Sequence, residues 1–176
     1  MAISSSLLTC SCTLLLIILI SVTATNGYIV DLVCKKTKDP PLCLDALGGP
    51  KFRKEPIEGL TSLAFQGAQL KSIDIQSKIE KLLSSPSLPE SKIHLLLRQC
   101  KKLYDQILVI QFRPAVKAFE AKQWAVVTEK VKPVPGEIDE CEKLFNNNSP
   151  VHDESKEVRV AAEAILIMAN MNIANH

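Results

Sequence analysis

The sequence predicts an all-α protein: an antiparallel up-down-up-down four-helix bundle, preceded by a short helical hairpin and held by two disulfides. Three observations predict it. Apolar residues recur at spacings of three and four over long stretches, the period of one buried stripe on a helix. The joints between those stretches are short and carry Pro, Ser, Gly and Asn, which makes successive helices antiparallel neighbours. Aromatic residues are only 5% of the chain, which suits a core of Leu, Ile, Val and Ala better than a β-sandwich.

The chain opens with an almost purely apolar run, Leu14 to Ile20, followed by the small residues Val22-Thr23-Ala24. This is the pattern of a secretory signal peptide over residues 1–24, with cleavage after Ala24 or as late as Gly27. It departs from the usual pattern in having no Lys or Arg before the run. A membrane-spanning helix needs about 20 apolar residues, and here Ser, Thr and Asn end the run too early. Removal of the leader takes Cys10 and Cys12 with it and leaves four of the six cysteines, Cys34, Cys43, Cys100 and Cys141. In a secreted chain four cysteines imply two disulfides, with three pairings open to them.

The first element is the hairpin around Cys34-Lys-Lys-Thr-Lys-Asp-Pro-Pro-Leu-Cys43. Asp39 can accept from a free N–H at a helix start, and Pro40 occupies the first helical position, where no N–H is needed. Gly48-Gly49-Pro50 ends the second arm, and Lys51 to Glu55 is a charged connector. Pro56 opens the first long helix, with Leu60, Leu63, Ala64, Gly67, Ala68, Ile75, Ile79 and Leu82 as its inner face; Ser84-Ser85-Pro86 stops it.

Ser87-Leu-Pro-Glu90 reads as a capping box for the second helix, whose stripe is Ile93, Leu96, Leu97, Cys100, Tyr104, Ile107 and Leu108. Pro114 marks a break or bend, because it lacks the N–H its turn would use. A third segment runs from Ala115 through Val116, Phe119, Trp124, Val127 and Val131, is interrupted at Lys132-Pro-Val-Pro-Gly136, and resumes with Ile138, Cys141, Leu144 and Phe145. Asn146 to Pro150 is a turn. The last helix covers Asp153 to Asn172, with Val158, Ala161, Ala162, Ile165, Leu166 and Ala169 inward. Cys100 and Cys141 both fall on inward stripes of consecutive segments, and Cys34 and Cys43 are local to one hairpin. The expected pairs are therefore Cys34 with Cys43 and Cys100 with Cys141.

No catalytic constellation emerges. His94, His152 and His176 stand at a helix start, in a loop and at the terminus, none with a partner at metal-ligand spacing. His152 with Asp153 and Glu154 reads as a helix N-terminal cluster. No Glu or His occupies the inward stripes, as a di-metal bundle would require. No phosphate loop or nucleophile elbow is present, and no metal or cofactor is expected. A net charge of +2 is too small to argue for a nucleic-acid partner or an anionic membrane. Asn147-Asn148-Ser149 is an acceptor pattern for an N-linked glycan on Asn147, disfavoured by Pro150 directly behind it.

The Cys34 to Cys43 stretch with its following Leu-Asp-Ala-Leu47 resembles the N-terminal signature of the plant pectin methylesterase and invertase inhibitor family. Cys100-Lys-Lys-Leu-Tyr104 is similar to that family's third cysteine with an aromatic four positions later, and Glu137-Ile-Asp-Glu-Cys141-Glu-Lys-Leu-Phe145 to the acidic segment around its fourth. The resemblance covers residue 28 onward. It implies a helical inhibitor domain over 28–176 with the same disulfide pairing. It also implies a non-enzymatic action in the apoplast or vacuole through a stoichiometric complex with pectin methylesterase or invertase. Some similar sequences are pollen allergens, so a non-inhibitory binding protein on this scaffold is a third reading.

Where the family's invertase inhibitors carry Pro-Lys-Phe, this chain reads Ala121-Lys122-Gln123-Trp124, which places pectin methylesterase first. The residues left outside the stripes, Lys92, Gln99, Lys102 and Gln106 on the second helix and Lys117, Glu120, Lys122, Gln123 and Lys130 on the third, are the expected partner contacts; Trp124 lies on the inner stripe, where a lone Trp is usually core, and joins these contacts if it is partly exposed. The free protein is expected to be a monomer.

Overall fold

A computed structural model describes residues 26–52, 54–85 and 92–174. The expected leader, Pro86 and the expected capping box at Ser87 and Glu90 lie outside these. Every regular element among the described residues is helical. The hairpin arms are α1 (Asn26–Cys34) and α2 (Pro40–Ala46), followed by a 3-10 turn, Gly49–Phe52. The first bundle helix is α3 (Ile57–Leu83). The second is a composite of α4 (Lys92–Gln106), a π-helical stretch Ile107–Phe112, and α5 (Arg113–Glu120). The third is α6 (Trp124–Val131) followed by α7 (Val134–Leu144), and the fourth is α8 (His152–Ala174).

Local chemistry sets the boundaries. Asp39 caps α2, its carboxylate accepting from Leu42 N at 3.1 Å, with proline at the first position as the sequence requires. At the far end Gly48 has φ +83, and a Cβ there would stand 2.2 Å from the Phe52 ring; only glycine fits. The corner between α5 and α6 closes by paired reverse hydrogen bonds, Gln123 N to Ala118 O at 2.8 Å and Lys122 N to Phe119 O at 2.9 Å. That is a Schellman ending, but with Lys122, at φ 56, in the left-handed position that glycine usually takes.

The bundle closes in a ring: α3 packs on α4 and α8, α4 on α7, α5 on α6, and α6 and α7 on α8. Contacts of α4 with α7 and of α5 with α6 pair opposite ends of successive helices, which makes them antiparallel. Both disulfides, Cys34–Cys43 and Cys100–Cys141, are formed as expected. Alanines at 161, 162, 164 and 169 are all buried and let α8 approach its neighbours closely. Leu60, Ile75, Ile79, Leu97, Ile107, Ile138 and Ile165 fill the space between. The hairpin is docked rather than free: Val30, Val33 and Leu47 join the same core, and Lys38 N donates to Glu163 Oε2 of α8 at 2.9 Å.

Four expectations about the elements are corrected. The chain does not break at Gln111–Pro114. It passes through as a π-helix, Arg113 N bonding back five residues to Leu108 O, and the widened turn accommodates Pro114 at the start of α5 without ending the helix. The real break is Ala121–Gln123, so the third bundle helix starts at Trp124 rather than Ala115. The interruption at Lys132–Gly136 shrinks to a turn at Lys132 and Pro133, both with right-handed helical dihedrals, and Val134-Pro135-Gly136 already belongs to α7. Finally, Ile93 is 46% exposed and Gly67 is exposed, so neither belongs to the inner stripe assigned to it.

Candidate protein-docking surface

Helical spacing decides what the second bundle helix shows to solvent. With Leu97, Cys100 and Tyr104 turned into the core, Lys92, Gln99 and Lys102 are left exposed and Gln106 half-exposed. Gln99, Lys102 and Gln106 meet Glu140 and Leu144 of α7 around a shallow depression of about 280 Å³, floored by Leu103. The Cys100–Cys141 disulfide ties α4 to α7 between these residues, so the two walls are fixed to each other. Two amides, one ammonium and one carboxylate over a small apolar floor form a surface with donors and acceptors of both kinds.

The other expected contacts do not line that depression. Lys92 lies at the start of α4. Lys117 and Glu120 are exposed on α5, and Lys122 and Gln123 project from the strained corner after it. Trp124 is not a surface anchor: it is 7% exposed and stands edge-on to Phe119, their ring centroids 5.5 Å apart. Phe119 in turn contacts Phe65, and Phe65 contacts Phe112. The indole therefore ends an aromatic ladder inside the bundle.

A polar cluster that the inward stripes missed lies under the turn before α8. Glu142 is 6% exposed, which corrects the expectation that no Glu faces inward. Its Oε1 accepts from Ser149 Oγ at 2.6 Å and its Oε2 from His152 Nδ1 at 2.7 Å. The main-chain oxygen of Glu142 accepts from Asn147 N at 2.9 Å. His152 is thus a partner of α7 as well as the first residue of α8. Nearby, Tyr104 donates to Ser155 Oγ at 2.8 Å, and burial drives its phenol pKa far above the ordinary value. The cluster holds Ser, His and Glu, but the carboxylate sits between the other two. Acyl transfer needs the imidazole between hydroxyl and carboxylate; here the hydroxyl donates to the carboxylate, so the cluster pins the turn and does not prepare a nucleophile. Asn147 is exposed on that turn at φ 62, while Ser149 of the same acceptor pattern is buried.

Glu137, in the first turn of α7, is a second carboxylate drawn partly out of solvent. Burial raises its pKa against the opposing hydrogen bond from Gln111, which donates to Oε1 at 3.1 Å, and Oε2 has no partner among the described residues. No group of three or more His, Cys, Asp or Glu among the described residues is placed to hold a metal ion. No helix among them is long and apolar enough to cross a membrane.

A family model described as plant invertase/pectin methylesterase inhibitor matches residues 28–172. The crystal structure of mutant form A of a pectin methylesterase inhibitor from Arabidopsis superimposes with a TM-score of 0.71 at 20% identity, covering 79% of this chain and 93% of that one. A second crystal structure, of a pectin methylesterase inhibitor from Arabidopsis thaliana, gives a TM-score of 0.62 at 19% identity, covering 81% and 94%. At these identities the structural likeness establishes the helical fold. No individual curated protein matches the sequence.

Proposed function

Because the chain belongs to the plant invertase/pectin methylesterase inhibitor family, we propose that it is a secreted inhibitor of pectin methylesterase that works by covering the enzyme's active-site cleft in a stoichiometric complex. The match of the family model across residues 28–172 carries the inhibitor class, and pectin methylesterase comes first because Ala121-Lys122-Gln123-Trp124 stands where invertase inhibitors carry Pro-Lys-Phe. The structure supports it in a specific way. A binder that turns nothing over must keep its contact surface in shape without help from a substrate, and the α4–α7 face is cross-linked by Cys100–Cys141. Preorganisation of this kind lowers the ordering cost of association. Gln99, Lys102, Gln106 and Glu140 around Leu103 and Leu144 give that face the polar rim and small apolar centre of a non-obligate interface.

A second reading, inhibition of invertase, is favoured by one observation. Lys122 is exposed and held in a left-handed backbone conformation at the α5–α6 corner, where the family's invertase inhibitors present a lysine to the sucrose site. Titrating purified, oxidised protein against each enzyme decides between them. Loss of methylesterase activity at one equivalent supports the first reading, and loss of sucrose cleavage alone supports the second. No effect on either enzyme refutes inhibition of both and leaves the scaffold as a binding protein for another partner.

A further inference from the structure

A different face of the bundle carries an open groove of about 640 Å³ between α3 and the π-helical stretch, with aliphatic side chains on both walls. Its origin is local. Along the second bundle helix the buried positions run Tyr104, Ile107, Phe112, Ala115 and Ala118, so one interval is five residues instead of three or four. The π-turn absorbs the extra residue and keeps Ile107 and Phe112 both inside. In doing so it turns Val109, 51% exposed, out to solvent. Across the groove α3 contributes Leu70, 65% exposed, and Ile73, 52% exposed. Aliphatic side chains this open and this contiguous mark a contact surface more often than plain solvent-facing helix, and π-turns concentrate at functional positions.

The charges around the groove indicate what covers it. Its walls carry glutamines, one anion and one cation. The anion, Asp105, lies four residues before Val109, and the cation, Arg113, four residues after it, both lining the same groove. A two-fold axis through Val109 would bring Asp105 of one molecule to Arg113 of another, and the reverse, while Leu70, Ile73 and Val109 meet their own copies. Isologous interfaces require this self-complementarity. Arg113 is exposed and has no ion-pair partner among the described residues. Asp105 accepts from Gln76 at 2.5 Å and pairs with Lys101 at 3.5 Å, but its side chain remains 50% exposed and a carboxylate has lone pairs to spare for a guanidinium.

We propose that this groove is a homodimer interface: a second copy of the chain docks antiparallel across the π-helical stretch, Val109 against Val109, with reciprocal Asp105–Arg113 pairs at the two ends. This departs from the monomer expected of the free protein. No residue lines both this groove and the α4–α7 depression.

Sedimentation equilibrium of the free, oxidised protein from low micromolar to near-millimolar concentration tests the proposal. The mass is expected to rise from one copy to two, and a mass of one copy throughout would overturn it. Val109→Asp introduces two facing carboxylates and is expected to weaken the dimer by at least about a hundredfold. Arg113→Asp and Asp105→Arg should each weaken it by about five- to tenfold, since symmetry counts each lost pair twice. The double variant, Asp105→Arg with Arg113→Asp, should restore it. Asp105→Arg also removes the Gln76 and Lys101 contacts, so a melt by circular dichroism confirms that each variant is folded. Dimers that survive Val109→Asp, or single-variant losses that the double variant fails to rescue, would sink the arrangement. So would a monomeric wild type whose enzyme inhibition Val109→Asp abolishes, because the groove would then face the target.

Discussion

Replacing Lys122 with glycine should make the protein more stable and, if the corner touches a target, a poorer binder. Lys122 has φ 56 and is exposed, so its side chain contributes no packing while its backbone occupies a region that L-residues avoid. Glycine holds the same conformation without the Cβ clash, which relieves about 1–2 kcal/mol. Glycine returns about 0.4–1 kcal/mol of this through the freer unfolded chain. The net gain is about 0.5–1 kcal/mol, which for a domain of this size raises the melting temperature by roughly 2 °C. The hydrogen bonds of the corner, from Lys122 N and Gln123 N, involve only main-chain atoms and survive the change. Lys122→Ala, which keeps a Cβ, is the control and should gain nothing. Scanning calorimetry of the three proteins, paired with enzyme titration, reads both properties. Equal melting temperatures for glycine and alanine variants would refute the strain argument. A stabilised glycine variant that inhibits as well as wild type would remove Lys122 from the contact surface.

Cys100–Cys141 spans a sequence separation of 41 and Cys34–Cys43 one of 9. In the chain-entropy treatment these are worth about 4 and about 2.7 kcal/mol, so in denaturant titrations replacing the first pair with alanine should cost more than replacing the second. Ser149→Ala removes a buried donor to the Glu142 carboxylate and should cost about 1.5–3 kcal/mol by urea unfolding; a change below about 0.5 kcal/mol would mean the turn is held by main-chain bonds alone. Glu137 has a folded-state pKa raised by burial. It therefore opposes folding once the pH rises above its unfolded value. Glu137→Gln should be more stable than wild type at neutral pH, with the advantage shrinking to nothing as the pH falls below the ordinary carboxylate range. An advantage that persists in acid would point to packing instead.

Where the stripes were regular, sequence and structure agree closely. Asp39 and Pro40 start α2, Ser84 ends α3, and Cys100 and Cys141 face each other, because single-residue chemistry and a 3.6-residue period act locally. The misreadings share one cause: the local rule was satisfied by an arrangement that spacing alone does not display. Pro114 looked like a helix breaker, yet a π-turn ahead of it removes the conflict; the five-residue interval from Ile107 to Phe112 was the available signal. Glu142 was overlooked because its partners, Ser149 and His152, lie beyond a turn, so no single helical stripe contains all three. Trp124 shares a stripe with Val127 and Val131 yet stands beside the exposed Lys122 and Gln123, and the packing of Phe119, Phe65 and Phe112 decides that the indole points inward. Gln99, Lys102 and Gln106 were legible as an outer face; that Glu140 and Leu144 complete it depends on how α7 lies against α4.

Helix α8 packs against α3, α6, α7 and both arms of the hairpin, and it comes last in synthesis among these elements. Until residues 152–174 are made, the sides of α3, α6 and α7 that face α8 stay open. The nascent chain must therefore be shielded from aggregation while the Cys34–Cys43 loop, complete within the first few dozen residues of the domain, is already able to oxidise. Closure of the interior waits on α8, and a chain cut anywhere upstream of it would be a polypeptide with an unsealed interior rather than a shortened working protein.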